Sequence, residues 1–291
     1  MTPPQPAPDL SGAPAWFVDA VARPQTASRS TTSDGFSIHS VCWNPEDSHK
    51  PPLMFVHGYR ASTHAWDFIA PWFCEHFRVH ALDLGGMGES DHRPEYCLDT
   101  FCRDIDAAVS TLGDDPVTLV GHSFGGVALL AYLQQHPQRV KHLVLIDSYI
   151  AFPGDEATSS PRKGRPTPYP DYDAILARYV LLPPQPSDPW VFNFMAHHAI
   201  RPVAGGWTWR FDVNLPGGKP LPEYTPVLAR YSDHIDYISG EHSALVTPDK
   251  VRQIAALMAG GRKPVVIPNS YHHVMLDQPL ALVAALRALL A

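Results

Sequence analysis

One stretch constrains this chain more than any other: Val117-Thr118-Leu119-Val120-Gly121-His122-Ser123-Phe124-Gly125-Gly126. An apolar, β-favouring run ends in Gly121, a serine follows, and Val127 to Gln135 then reads as a helix. The pattern is G-x-S-x-G between a strand and a helix, the setting in which this motif gains meaning. The reason is steric. A serine hydroxyl that must stand clear of the backbone needs a very tight strand-to-helix turn. Residues two positions either side then come close, and Gly121 and Gly125 have no Cβ to collide. The turn also sets Ser123 at the positive end of a helix, which favours developing negative charge. Ser123 is therefore the candidate nucleophile. The plainer alternative, an ordinary glycine-serine loop, does not account for the clean strand before it and the clean helix after it.

The stretches on either side share one rhythm. Phe36 to Trp43 alternates apolar and polar residues, the mark of a strand with one exposed face, and suggests an antiparallel strand at a sheet edge. Leu53 to Val56 is a short apolar run ending in His57-Gly58, and Val79 to Leu84 is another ending in Gly85-Gly86-Met87-Gly88. Such runs fit strands buried on both faces. Thr63 to Phe73 reads as a helix, and so does Leu98 to Leu112, with Phe101, Ile105, Ala108 and Leu112 at helical spacing. After the Ser123 unit comes Leu143 to Ile146, ending in Asp147. Strands alternating with helices, each crossover long enough for a right-handed connection, predict a doubly wound, mostly parallel α/β sheet. Ligands in such sheets bind beyond the carboxyl ends of the strands, where His57-Gly58, Ser123 and Asp147 all fall.

The alternation stops between Ser148 and about Pro226. Proline density rises there, Tyr172 to Leu182 and Trp190 to Ile200 read as helices, and Trp190, Phe192, Phe194, Trp207, Trp209 and Phe211 suit an apolar pocket roof. The core pattern resumes with the strand Ile235 to Gly240, a helix over Pro248 to Met258, the strand Val265 to Ile267 and a helix over Leu280 to Leu290. The expected organisation is a core of residues 1–148 and 227–291, with 1–13 loose and a short helix over Pro14 to Val21, and a helical cap inserted at 149–226.

Composition narrows the function. The chain carries 22 Lys and Arg against 29 Asp and Glu, a net charge of −7, and no basic run. That argues against nucleic acid and against an anionic membrane surface. No apolar stretch nears the roughly 18 residues that span a bilayer. The N-terminus has neither a basic start nor an apolar core of the kind that directs secretion. Cys42, Cys74, Cys97 and Cys102 show no Cys-x-x-Cys spacing and read as free buried thiols in a reducing cytoplasm.

These residues carry a resemblance. His57-Gly58-Tyr59, Asp83-Leu84-Gly85-Gly86-Met87-Gly88-Glu89-Ser90, Gly121 to Gly126, and His272-His273-Val274-Met275-Leu276-Asp277-Gln278-Pro279 occur in that order. From about Phe36 onward the chain resembles the α/β-hydrolase superfamily. It is most similar to the capped, cofactor-free branch that holds esterases, serine-hydrolase-like proteins and C–C bond hydrolases.

The resemblance implies a base and two amide donors. A serine hydroxyl needs a base within hydrogen-bond reach. His272 follows the last strand and precedes Pro279 by seven residues, as the family spacing implies, with His273 the nearest rival. A metal site is the competing reading of that pair, and no further ligand lies at useful spacing in sequence. Backbone N–H groups of Phe124 and Tyr59 are the implied oxyanion donors, and His57 and Asp83 are read as structural. The acid departs from the pattern. Where the family frame Gly-x-x-Asp is expected, the chain reads Gly240-Glu241-His242-Ser243. Asp147, at the end of the preceding core strand, is favoured, as in some capped members. Glu241 is the alternative. If neither serves, the protein is a dyad or an inactive fold.

A serine at position 123 also indicates a reaction class. Family members that open epoxides use an aspartate there, whereas a serine attacks a carbonyl and forms an acyl-enzyme. The expected partner is a small-molecule acyl substrate, with no cofactor and no metal. A carboxylesterase is expected first, a C–C bond or amide hydrolase second. A non-catalytic ligand-binding protein is the reading from another class, supported only by Ser243.

Overall fold

A computed structural model of the protein describes residues 2, 4–155, 168–216, 223–258 and 260–291. Ten strands can be assigned among the described residues: β1 (Thr26–Thr31), β2 (Ser37–Cys42), β3 (Pro52–Val56), β4 (Arg78–Leu82), β5 (Val117–His122), β6 (Val140–Ile146), β7 (Ile200–Val203), β8 (Gly206–Trp209), β9 (Ile235–Gly240) and β10 (Val265–Ile267). Eight of them form one sheet in the order β1-β2-β4-β3-β5-β6-β9-β10. The run from β4 to β10 is parallel, and β2 and β1 add antiparallel at one end. The chain builds outward in both directions from β3, so the strand order reverses between β3 and β5. The crevice at such a reversal is where an open α/β sheet accepts a ligand.

The helices are α1 (Ala15–Val21), α2 (Leu98–Ser110), α3 (Phe124–Gln135), α4 (Tyr172–Leu176), α5 (Pro189–His198), α6 (Thr225–Arg230), α7 (Pro248–Leu257), α8 (Val274–Asp277) and α9 (Pro279–Leu289). The continuous apolar runs of the central strands are explained by two cores. Met54 and Val56 pack with α2, α3 and α6 on one face, while their neighbours Leu53 and Phe55 pack with α1, α5 and α9 on the other. Alternate residues of one strand thus feed opposite layers.

Several local expectations change. The edge strand is β1, not β2. Its sequence Thr-Ala-Ser-Arg-Ser-Thr is almost wholly exposed and is held by backbone pairing with β2, so it shows no apolar alternation. The helix expected over Thr63 to Phe73 is two short 3-10 turns, Thr63–Trp66 and Ala70–Phe73. Pro71 explains the break, because it lacks an N–H and its ring clashes with the preceding turn. Helix α4 stops at Leu176 rather than Leu182. Beyond it Leu181 enters the core while Val180 and Leu182 are 53% and 51% exposed, an alternation that a helix would not give.

The N-terminus is pinned rather than loose. Gln5 Nε2 donates to the carbonyls of His197 (2.8 Å) and Ile200 (3.1 Å), and Leu10 and Ala13 pack on the core. All four cysteines are free, but only Cys42 and Cys102 are buried. Of the segment expected as a cap, residues 156–167 and 217–222 lie outside the described residues. Its described part contributes α4, α5 and the β7–β8 hairpin. Ile175, Ile200 and Trp207 form a small cluster of their own, whereas Val191 and Phe194 of α5 join the main core.

Asp83 ties the loops beyond β3 and β4 together. Its carboxylate accepts from the backbone N–H of Thr63 (2.6 Å) and Glu89 (3.0 Å) and from His39 Nδ1 (2.8 Å). Burial pushes its pKa up, but the His39 hydrogen bond and the His57 and Glu89 contacts outweigh it and hold it below the ordinary value. A depressed carboxyl stabilises the fold above the unfolded-state pKa, and that stability is lost as pH falls through the folded value. Urea denaturation from neutral pH down to about pH 3 is expected to show this acid loss in the wild type. Asp83→Asn should be less stable at neutral pH and follow a flatter acid limb. Parallel curves for the two proteins would contradict the linkage.

Candidate active site

β5 runs straight into α3 through Ser123, whose backbone lies at φ 52° and ψ −121°. A non-glycine residue there is strained, and such strain persists only where the surroundings impose it. The surroundings are close. A Cβ on Gly121 would lie 2.7 Å from the Gly126 nitrogen, and one on Gly125 would lie 2.4 Å from the His57 carbonyl oxygen. The two glycines therefore admit the start of α3 and the end of β3, respectively, rather than each other. Ser123 itself donates its N–H to Ile146 of β6 (2.9 Å).

His272 reaches the same place from the loop after β10. That loop is held by Tyr271 N–H donating to Asp277 Oδ2 (2.7 Å) and by His122 Nε2 donating to the His272 carbonyl (2.9 Å). Asp147 ends β6, also at positive φ (47°), and is fully buried. Its Oδ2 accepts from His272 Nδ1 at 2.6 Å and from Ser243 Oγ at 2.6 Å, and its Oδ1 accepts from the Gly240 N–H at 3.0 Å. Because the carboxylate accepts, Nδ1 carries a ring proton, and in the neutral tautomer this leaves the lone pair on Nε2. Ser123 and His272 line one cavity of about 680 Å3.

Glu241, the other candidate acid, is half-exposed and accepts from the Asn269 N–H (2.9 Å). The Ser243 hydroxyl occupies the space beside Asp147 and takes the Val246 N–H (3.0 Å) on its oxygen. Its sequence signal was its place in the Gly-x-x-Asp frame. The support that His122 gives His272 had no signal of its own in the sequence.

The two candidate oxyanion donors lie on facing walls. Among the described residues, neither the Phe124 N–H, first in α3, nor the Tyr59 N–H donates to a protein acceptor. Both are therefore available to a ligand. The Tyr59 ring packs edge-on against Phe124 (5.4 Å), and its hydroxyl donates to the Pro216 carbonyl. His57 is buried, donates from Nδ1 to the Gly58 carbonyl (2.7 Å) and accepts the Leu84 N–H at Nε2 (3.2 Å). Burial lowers its pKa, so it is a neutral brace for the loop carrying Tyr59.

His273 lines the cavity too, yet burial and the adjacent His272 push its pKa down to about 3. The metal alternative gains a third ring in space, because His122, His272 and His273 each bring one nitrogen within 4.8 Å of the others. His122 commits Nε2 to the His272 carbonyl and His272 commits Nδ1 to Asp147, which leaves one nitrogen uncommitted on each of those two rings. A second group, His64, Asp67 and His198, has its two rings stacked 3.8 Å apart at 25°. Their in-plane lone pairs then run side by side instead of converging on an ion. The aromatic lining comes from Tyr59, Tyr169, Tyr179, Trp209 and Phe211. Of the aromatic residues expected in the roof, Trp190 packs on Phe17 and Trp207 on Tyr172, away from the lining.

The sequence profile of the alpha/beta hydrolase fold family matches residues 51–279, and the chain belongs to that family. A (lyso)-N-acylphosphatidylethanolamine lipase of Mus musculus is 31% identical over 146 residues, 48% of this chain and 42% of that protein. A serine hydrolase-like protein of Danio rerio is 26% identical over 196 residues, 61% of this chain and 59% of that one. The chain spans less than half the length of the first curated relatives it matches. Among solved structures, the thioesterase domain from the curacin biosynthetic pathway superposes with a TM-score of 0.73 at 25% identity. That match covers 91% of this chain and 99% of the domain. No helix among the described residues is long and apolar enough to cross a membrane.

Proposed function

We propose that the protein is a serine hydrolase that cleaves an acyl bond through an acyl-enzyme, most simply a carboxylic ester. One observation carries this reading. Ser123, on its strained turn at the start of α3, opens into the cavity that holds His272, whose far nitrogen bonds a buried carboxylate at 2.6 Å. In the proposed reaction His272 Nε2 takes the Ser123 proton as the oxygen attacks the carbonyl carbon. Asp147 stabilises the resulting imidazolium. The Tyr59 and Phe124 N–H groups receive the oxyanion, aided by the helix end. Collapse expels the alcohol with the proton from His272, and a water repeats the sequence to release the acid.

The cap reading fits the same picture. The segment 149–226 supplies Tyr169, Tyr179, Leu181, Met195, Trp209 and Phe211 to the cavity wall. The lipase and thioesterase among the similar proteins both act, by name, on acyl compounds. The non-catalytic alternative had Ser243 as its one support, and the Asp147–His272 contact favours the catalytic reading over it. Fluorophosphonate treatment followed by peptide mass spectrometry tests the proposal. An adduct on Ser123 is expected, with loss of para-nitrophenyl ester hydrolysis in step. An unlabelled Ser123 in folded protein would sink it.

A further inference from the structure

The charge of the cavity wall runs against the charge of the protein. Acids outnumber bases 29 to 22 in the chain. Yet Arg60, Arg178 and Arg210 line the cavity, and no Asp or Glu does among the described residues. The three arginines differ. Arg210 is matched by the Glu89 carboxylate and bound to the His198 and Ile200 carbonyls, so its charge is committed. Arg60 follows Tyr59 at positive φ (59°) and lies over the Tyr59 and Phe211 rings at 5.4 and 5.0 Å. Arg178 is exposed and, among the described residues, its side chain makes no ion pair or hydrogen bond. Beside it Val180, Leu181 and Leu182 line the same wall.

We infer that the substrate is an amphiphile: an apolar body along Val180 to Leu182, and an anionic group, carboxylate or phosphate, received by Arg178. This rests on the hydrolase reading only for the word substrate; the anion site stands or falls by binding. Guanidinium is suited to the task because its planar fork meets carboxylate and phosphate oxygens two at a time. The histidines near this wall are held neutral mainly by burial. Burial, then Arg210, pushes His197 down to about 4, and His198 is lowered by burial with His64, His197 and Arg210 adding. They offer an anion no rival negative group and add no charge of their own.

Calorimetric titration tests the site without turnover, using hexyl phosphate, hexanoate and neutral hexanamide as probes. At least one anion is expected to bind well above hexanamide, and Arg178→Gln is expected to weaken it about tenfold or more, leaving hexanamide unchanged. Affinity for the anion should also fall as salt rises. Two esters locate the charge relative to the scissile bond. The mono-para-nitrophenyl ester of adipate carries it on the acyl side, and the hexanoate ester of a nitrohydroxybenzoate carries it on the leaving group. Whichever is preferred over para-nitrophenyl hexanoate should show a raised KM with little change in kcat in Arg178→Gln. Equal binding of anions by wild type and Arg178→Gln, or no preference over hexanamide, would overturn the inference while leaving the hydrolase reading intact. Anion binding without ester turnover or Ser123 labelling would do the reverse.

Discussion

Replacing Asp147 by asparagine is expected to lower kcat by about four powers of ten, the loss seen when a triad aspartate is amidated. The amide can no longer hold His272 with its proton on Nδ1, nor stabilise the imidazolium. Glu241→Gln should change the rate little, because Glu241 bonds Asn269 instead. Ser243 makes the test sharper. Its hydroxyl lies 2.6 Å from the same carboxylate oxygen that meets His272. Ser243→Asp alone would set two carboxylates together, which cannot both ionise comfortably, and should reduce activity. Combined with Asp147→Asn it should restore part of the rate. Esterase assays of the four variants, with melting curves to verify folding, decide the matter. Asp147→Asn retaining a tenth of the wild-type rate would remove Asp147 from the proposed triad.

Ser123→Ala is expected to cost about six powers of ten in kcat, as when a serine hydrolase loses its nucleophile, and to abolish fluorophosphonate labelling. The fold should survive, since the Ser123 side chain makes no hydrogen bond among the described residues. Ser123→Gly separates chemistry from strain. Glycine adopts φ 52° without penalty, so this equally dead variant should gain about 1 kcal/mol or more of stability over Ser123→Ala. A folded Ser123→Ala protein that still hydrolyses ester at a measurable fraction of the wild-type rate would refute the nucleophile assignment.

Much of this geometry was readable because it rests on local rules. Short apolar runs, several of them followed by a glycine or an aspartate, located the parallel strands and the ends where Ser123 and Asp147 stand. Position after the last strand pointed to His272 and His273, and the family spacing before Pro279 favoured His272, which the structure brings to Asp147 while turning Glu241 elsewhere. What escaped the sequence depends on partners far along the chain. β1 lacks an apolar alternation because backbone bonds to β2, not apolar burial, hold it. The pinning of Gln5 to His197 and Ile200 joins residues almost two hundred apart. Aromatic content marked the 149–226 segment as special, but could not tell Trp209, on the cavity, from Trp207, in the small cluster.

The elements that deliver the three side chains differ in how firmly they are held. Ser123 and Asp147 leave neighbouring central strands, with Ser123 N–H bonded to Ile146 and Asp147 N–H to Ile238 (2.7 Å), so they move as one block. His272 follows β10, a three-residue strand at the sheet margin that pairs only with β9. Marginal strands open at lower free energy than central ones. Mild denaturant should therefore free the histidine first: the proposed ester hydrolysis should be lost while the sheet, by every spectroscopic measure of its core, is still folded.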